Sequence, residues 1–191
     1  GRSAGVRGGL LADDQLPADL AAVIDDTRAR MGRGQPLILL GHSMGGLVAA
    51  RLVALGWRQV DGLVLSSPAL DAGMTPLQRT LVRLLVRIAP TLRLGNGLDA
   101  RHLSHDAAVV AAYQADALVH DRISARLARF FSTAGPAVIA AAPHWSVPTL
   151  LLYAGDDRLV NPDGSAAFAQ AAPTAMVTAH RFASHWHELF N

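Results

Sequence analysis

The 191-residue sequence contains neither cysteine nor lysine. The absence of cysteine excludes disulfides, thiol catalysis and thiolate metal sites. All 17 basic residues are Arg, and Glu188 is the single Glu; with abundant Ala and Gly, this bias predicts a GC-rich bacterial genome. No apolar run is long enough to span a membrane. The formal net charge is only +2, and nothing resembles a nucleic-acid-binding module.

Aromatic residues are also scarce, at 5% of the sequence, although 51% of all residues are hydrophobic. These values predict one domain with a core built mostly from Ala, Leu and Val. The chain does not begin with Met, no signal peptide is visible, and both ends look cut. We expect a cytoplasmic protein.

The most informative stretch is Gly41-His42-Ser43-Met44-Gly45-Gly46. The apolar run before it predicts a buried strand, and the Ala/Leu/Val-rich run after it predicts a buried helix. A serine between such elements lies on a sharp turn, where glycines two residues before and two residues after relieve crowding. We therefore predict that Ser43 is a nucleophile and that the Met44 N–H, at the start of the helix, stabilises an oxyanion.

The rest of the chain predicts an α/β domain. The expected elements are a helix over 16–31, strands over 36–40, 62–66, 147–153 and 175–182, and helices over 46–55 and 163–172. A largely helical block over about 75–142 separates the middle strands, with helices over 75–93, 106–115 and 122–134, the last ended by Gly135-Pro136. In an α/β protein such a block is an insertion over the sheet. The sequence thus predicts one domain over 1–191 that carries a helical cap.

The helix predicted over 75–93 has two distinct faces. One is basic and the other apolar: Arg79, Arg83 and Arg87 form the first, and Leu77, Leu81, Leu84, Leu85 and Ile88 form the second. The favoured interpretation is a solvated Arg face over a packed apolar face. The alternative is a lid helix that contacts an acyl chain or a lipid surface.

A nucleophilic serine needs a base to accept its proton and an acid to orient that base. Asp156 and Asp157 follow one predicted strand, and His185 and His187 follow the next. The order Ser…Asp…His is the one expected for a nucleophile elbow. Because active sites of open α/β sheets lie at the carboxyl ends of the strands, these groups can converge there. The residues alone leave the choice within each pair open.

Other polar patterns fit catalysis less well. Ser104-His105-Asp106 has the three residue types of a catalytic triad at consecutive positions. Adjacent side chains point in different directions, however, and cannot form a relay. His42 is better suited to packing and hydrogen bonding than to the role of base. The His pairs at 102 and 105, and at 185 and 187, lack a third ligand at suitable spacing, so neither a metal nor a cofactor is predicted.

The elbow, the Gly155–Val160 loop and the closing His-Glu-Leu together resemble the α/β-hydrolase superfamily. The closest resemblance is to the monoacylglycerol lipase/lysophospholipase group, classed with the serine aminopeptidase-like hydrolases, and it runs over essentially the whole chain. It implies a mostly parallel sheet with helices on both faces. It also implies that Asp157 is the acid and His187 the base, with Trp186 where the group often has Tyr.

The function implied by this resemblance is that of a serine hydrolase. Such an enzyme cleaves lipid esters, for example a monoacylglycerol or a lysophospholipid, through an acyl-enzyme. The acyl chain would lie under the cap, and the cap would touch a membrane surface transiently. Two alternatives remain: an inactive hydrolase-fold fragment or binding module, and an aminopeptidase or acyltransferase that uses the same triad.

The resemblance also implies that part of the sheet is missing. Gly1-Arg2-Ser3 would be the tail of a Gly-His-Gly-x-Ser segment, with several strands and a His-Gly-x-Gly loop upstream. That loop would supply the second oxyanion donor. We therefore expect the C-terminal two thirds of a hydrolase, in which the apolar strand at 36–40 has an unpaired edge.

Overall fold

The computed structural model describes residues 4–191, so the predicted role of Gly1–Ser3 lies outside the described residues. Four parallel strands form the main sheet in the order β1-β2-β5-β6. They are β1 (Ile38–His42), β2 (Gly62–Ser66), β5 (Thr149–Ala154) and β6 (Val177–Phe182). All four predicted strands are therefore confirmed, and their carboxyl ends lie at one edge of the sheet.

Six α-helices accompany the sheet in the described part of the chain. They are α1 (Gln15–Arg30), α2 (Ser43–Ala54), α3 (Pro76–Ile88), α4 (Ala107–Ala115), α5 (Ala125–Ala141) and α6 (Pro162–Ala171). Asp106 caps α4 as predicted, since its Oδ1 accepts a hydrogen bond from Ala108 N at 2.7 Å. Thr75 and Gln78 form a capping box at α3, which ends before Ala89-Pro90 because the residue preceding a proline disfavours helical backbone.

The larger core cluster packs the sheet against helices α2, α5 and α6, and a smaller one contains Ala21 and Ile24 of α1. Leu63, Leu65 and Leu151 of the strands are fully buried against Leu47 of α2 and Phe168 of α6. The edge of the Trp145 ring meets Phe168 at a centroid distance of 4.9 Å, and Trp145 Nε1 donates to Thr149 Oγ1 at 2.9 Å. The buried indole N–H is thus satisfied.

The predicted end of a helix at Gly135-Pro136 is wrong, because α5 continues to Ala141 with Pro136 inside it. Gly135 is packed so closely that a Cβ there would lie 2.0 Å from Leu70 O. Leu127, Phe130 and Val138 on the same helix are buried in the core. The free energy gained by burying this helix outweighs the cost of the backbone hydrogen bond that is lost at Pro136.

The helical block predicted over 75–142 accordingly divides in two. Its last helix, α5, packs in the same core as the sheet. The rest, segment 76–124, contains α3, α4 and a two-stranded antiparallel ribbon that the sequence did not predict. The ribbon pairs β3 (Arg93–Gly95) with β4 (Arg122–Ser124). Each of these strands has three residues, too few for alternation of apolar and polar side chains to be recognised.

The favoured interpretation of α3 is wrong in one respect, since four of the five residues of its apolar face are exposed and only Leu85 is half-buried. Leu77, Leu81, Leu84 and Ile88 are 69%, 49%, 51% and 80% exposed. Val86 is the single buried residue of the helix. Helix α3 therefore presents a stripe of large apolar side chains to solvent.

Strand β1 occupies one edge of the described sheet. Its side chains Ile38 and Leu40 are 61% and 67% exposed. The predicted unpaired apolar edge at this strand is therefore confirmed for the described residues.

Candidate active site

The turn from β1 to α2 holds Ser43 in an unusual conformation. Ser43 has a φ of +52°, which is uncommon for a residue with a side chain and is found where the surrounding structure enforces it. Ala69 N donates to Ser43 O at 3.0 Å and ties the turn to the loop after β2. Ser43 is the first residue of α2, so the Met44 N–H is among the helix N-terminal donors that lack an intrahelical acceptor.

The glycines around Ser43 do not all serve the predicted purpose. A Cβ on Gly41 would lie 2.6 Å from Gly45 O, so this glycine does relieve crowding. The same prediction is wrong for Gly45, where an added Cβ would meet nothing within 4 Å. Gly46 is the crowded one, because its Cβ would lie 2.8 Å from Pro68 Cβ. The first turn of α2 points residue 45 to solvent and residue 46 to the loop after β2.

Substituting these two neighbouring glycines separates packing from helix propensity. Gly46→Ala should lower the free energy of unfolding by about 1–3 kcal/mol, because the added methyl group must displace Pro68. Gly45→Ala, at an exposed position of the same helix, should be neutral or stabilising by up to about 1 kcal/mol. Urea denaturation of both variants measures the difference. Equal stability of the two would contradict the close approach of α2 to Pro68.

The predicted base and acid lie against each other. His187 Nδ1 is 2.7 Å from Asp157 Oδ2, and the two side chains are 4% and 3% exposed. The other carboxylate oxygen, Oδ1, accepts from Leu159 N at 2.9 Å and Val160 N at 3.0 Å. Because a carboxylate only accepts, Nδ1 carries the proton and Nε2 is left as the basic nitrogen.

The alternative members of the two pairs have other partners. Asp156 Oδ2 accepts from Trp186 Nε1 at 3.1 Å and Arg158 Nη2 at 3.3 Å. These hydrogen bonds, that of Trp186 first, lower the pKa of Asp156. His185 is exposed, and its backbone oxygen accepts from Asp156 N at 3.2 Å. The geometry thus pairs Asp157 with His187, whereas their catalytic roles stay a prediction.

His42 lies beside the predicted base and forms a hydrogen bond, as the sequence suggested. Its Nδ1 is 3.1 Å from Ser66 Oγ, and its ring centroid is 4.8 Å from that of His187. Burial lowers the pKa of His42 below its ordinary value of 6.5, and the neighbouring charge of His187 lowers it further. Between the folded pKa of His42 and pH 6.5, the unfolded chain therefore binds more protons than the folded chain does.

This difference predicts an acid-sensitive contribution to stability. The free energy of unfolding should fall as the pH drops through 6.5 and level off below the folded pKa of His42, since the unfolded state binds more protons in that window. His42→Asn should remove this part of the pH dependence. His180→Asn, at an exposed position of β6, should keep it. Denaturant unfolding between pH 4 and pH 8, roughly the range in which imidazole titrates, measures both. Identical slopes for the two variants would contradict the burial effect.

The other polar patterns are explained by structural contacts. In Ser104-His105-Asp106, Asp106 caps α4, Ser104 Oγ donates to Asn191 O at 3.3 Å, and His105 Nε2 donates to Ser184 O at 3.0 Å. These three side chains form no relay with one another. Within residues 4–191, no group of three or more His, Asp or Glu side chains is placed to hold a metal ion.

Ser43, Met44 and His187 line a common cavity of about 570 Å³. Most of its wall is apolar and comes from separate parts of the chain: Leu10, Leu16, Leu98, Leu103, Ile123, Leu127, Phe131 and Val160. A second cavity of about 300 Å³ shares Asn96, Tyr113 and His120 with the first. Sequence reasoning missed these lining residues. They carry no motif, and only the fold brings them to one place.

No helix within residues 4–191 combines the length and the apolar composition that crossing a membrane requires.

Residues 1–191 match the hydrolase family model described as serine aminopeptidase, S33. A monoacylglycerol lipase from Mycolicibacterium smegmatis is 32% identical over 182 residues, which cover 91% of this chain and 65% of that protein. Phospholipase YtpA from Bacillus subtilis is 31% identical over 162 residues, covering 82% of this chain and 62% of that protein.

The crystal structure of Paleococcus ferrophilus monoacylglycerol lipase has a TM-score of 0.82 at 32% identity, covering 92% of this chain and 68% of that one. The predicted α/β-hydrolase fold and the predicted group are confirmed by these matches. This chain spans 65% and 62% of the length of the two curated relatives.

Proposed function

Because the chain belongs to the serine aminopeptidase S33 family of α/β-hydrolases, we propose that it is the catalytic part of a serine hydrolase that cleaves carboxylic esters of lipids. The observation that carries the proposal is the buried His187–Asp157 hydrogen bond of 2.7 Å, in which His187 lines the same apolar cavity as Ser43. A base oriented by an acid beside a strained serine is the arrangement that acyl transfer needs.

The proposed reaction proceeds through an acyl-enzyme. Ser43 Oγ attacks the ester carbonyl carbon while His187 Nε2 accepts the hydroxyl proton. The oxyanion that forms accepts a hydrogen bond from the Met44 N–H. His187 then returns the proton to the departing alcohol, and the C–O bond of the ester breaks. Water, deprotonated by the same nitrogen, then attacks the acyl carbon, the bond from that carbon to Ser43 Oγ breaks, and His187 returns the proton to Oγ as the fatty acid leaves. Asp157 stays ionised throughout and stabilises the imidazolium.

The cavity and the relatives support a proposal for the substrate class. The apolar wall suits an acyl chain, while Asn96, Tyr113 and His120 offer polar groups to the alcohol portion. The similar proteins include a monoacylglycerol lipase and a phospholipase. We infer a monoacylglycerol or a lysophospholipid as the substrate. The cap then corresponds to segment 76–124, which contributes Leu98, Leu103 and Tyr113 to the cavity.

The test is a comparison of ester and amide substrates with the purified protein. The value of kcat/KM for a medium-chain monoacylglycerol should exceed that for an aminoacyl anilide by about a hundredfold or more, because the apolar cavity binds the acyl chain. Faster cleavage of the anilide would support the aminopeptidase alternative instead. Absence of turnover, together with absence of fluorophosphonate labelling at Ser43, would support the inactive fragment or binding module.

We further propose that α3 brings the enzyme to its substrate at a lipid surface. Its exposed stripe of Leu77, Leu81, Leu84 and Ile88 lies on the same helix as the exposed Arg83 and Arg87. An apolar face flanked by Arg is the composition of helices that lie in a bilayer interface.

Removing two leucines of the stripe tests this contact. Leu81→Gln with Leu84→Gln should weaken binding to anionic phospholipid vesicles by about tenfold or more. In the wild type each leucine side chain would be transferred from water into the lipid interface, and this transfer favours binding. The matched control replaces two exposed apolar residues outside α3, Leu11→Gln with Val23→Gln. Vesicle sedimentation measures the binding. Equal loss in both double variants would contradict a docking role for α3.

A further inference from the structure

The loop that carries His187 is attached to segment 76–124 at several points. We call residues 183–188 the base loop and residues 102–105 the strap. Glu188 N donates to Leu103 O at 3.0 Å, and His105 Nε2 donates to Ser184 O at 3.0 Å. Beyond the base loop, Ser104 Oγ donates to Asn191 O at 3.3 Å. The strap therefore holds the chain on both sides of His187.

Trp186 lies at the centre of these contacts. The His105 ring stacks on Trp186 with a centroid distance of 4.0 Å and an interplanar angle of 29°, and His102 meets the indole edge-on at 5.8 Å. On the acid side, Trp186 Nε1 donates to Asp156 Oδ2 at 3.1 Å, and the Arg158 guanidinium carbon lies 5.2 Å from the ring centroid. One side chain thus joins the strap, the base loop and the loop that carries Asp157.

We propose that Trp186 and His105 are positioning residues that place His187 opposite Ser43 only while segment 76–124 is seated against the base loop. The strap lies some eighty residues before the base loop in the chain, so the stack couples two separate parts of the fold. His187 and Asp157 are nearly fully buried, which leaves their alignment dependent on the loops that carry them. A displacement of about 1 Å at a catalytic group lowers the rate about a hundredfold. This inference rests on the proposed role of His187 as the base.

The consequence is a link between the cap and catalysis. When segment 76–124 moves, the strap moves with it, and the base loop loses the stacked His105 and the Leu103 carbonyl together. Hydrolysis would then be fastest with the segment closed over a bound acyl chain. In the open enzyme, His187 would lie away from its position opposite Ser43.

Substitutions of the stack test the inference in the full protein. Trp186→Ala and His105→Ala should each lower kcat for a short-chain soluble ester by about tenfold to a hundredfold, with KM little changed, because the base rather than substrate binding is disturbed. His105→Phe keeps an aromatic partner for Trp186 and should recover most of kcat. Trp57→Ala removes an exposed Trp outside this cluster and should leave kcat unchanged.

A second readout does not depend on turnover. The proton that His187 Nδ1 shares with Asp157 should give a low-field NMR resonance in the wild type and in Trp57→Ala. It should broaden or vanish in Trp186→Ala and His105→Ala and return in His105→Phe. Because His105 is exposed, its substitution should leave the fold intact.

Different results would overturn the positioning role of Trp186 and His105 and the proposed ester hydrolase function. Unchanged kcat and an unchanged low-field resonance in Trp186→Ala and His105→Ala would overturn the positioning role and leave the ester hydrolase proposal standing. A wild-type protein that cleaves no ester, but whose resonance still depends on the stack, would overturn the proposed function alone. Equal loss of kcat in His105→Phe and His105→Ala would show that the stack has no part in placing the base.

Discussion

Ser43→Ala should lower kcat for ester hydrolysis by about 10⁵- to 10⁶-fold, because removal of the nucleophile ends acyl-enzyme formation. The residual rate would come from the oxyanion donor and the binding cavity alone. The measurement is steady-state release of fatty acid from a monoacylglycerol. Substrate binding should change little, since the alanine removes a single oxygen atom.

A matched control for this variant is Ser132→Ala on α5. The Ser132 hydroxyl donates to Arg129 O at 2.8 Å and takes no part in the proposed chemistry. This variant should keep wild-type activity. Substantial hydrolysis by Ser43→Ala would show that another group is the nucleophile and would remove the basis of the proposed mechanism.

Asp157→Asn should lower kcat by about 10⁴-fold. The amide can keep the hydrogen bonds from Leu159 N and Val160 N through its oxygen, but its NH₂ group then faces His187 Nδ1. The imidazole is driven into the tautomer with the proton on Nε2, where it cannot accept the proton of Ser43. The low-field signal of the Nδ1 proton should vanish with the activity.

Asp156→Asn is the discriminating comparison, because Asp156 is the neighbouring candidate for the acid. Its effect should stay below about tenfold, since an amide oxygen still accepts the hydrogen bond from Trp186 Nε1. A larger loss in Asp156→Asn than in Asp157→Asn would reverse the assignment.

The sequence predicted the sheet and the elbow because these features depend on local signals. Gly41–Gly46 between an apolar strand and an apolar helix specifies the turn, and the structure holds Ser43 at a φ of +52° there. The choice of Asp157 and His187 came from the family resemblance. In the structure, Asp157 Oδ2 lies 2.7 Å from His187 Nδ1, whereas Asp156 accepts a hydrogen bond from Trp186 Nε1.

What the sequence could not reveal depends on contacts between distant segments. Gly135-Pro136 is a helix-ending signal, but the close packing of Gly135 on Leu70 O keeps α5 continuous. The amphipathic pattern of α3 indicates two faces without saying which one meets the core, and the structure leaves Leu77 and Ile88 exposed. The stack of His105 on Trp186 joins residues that no sequence motif relates.

The central claim is that Ser43 is a nucleophile activated by the His187–Asp157 pair. Its most direct test is to treat the protein with a fluorophosphonate and to map the adduct by mass spectrometry. We expect one adduct, on Ser43, and a labelling rate that falls about a hundredfold or more in His187→Ala. An adduct on another residue, or a labelling rate at Ser43 that His187→Ala leaves unchanged, would contradict the claim.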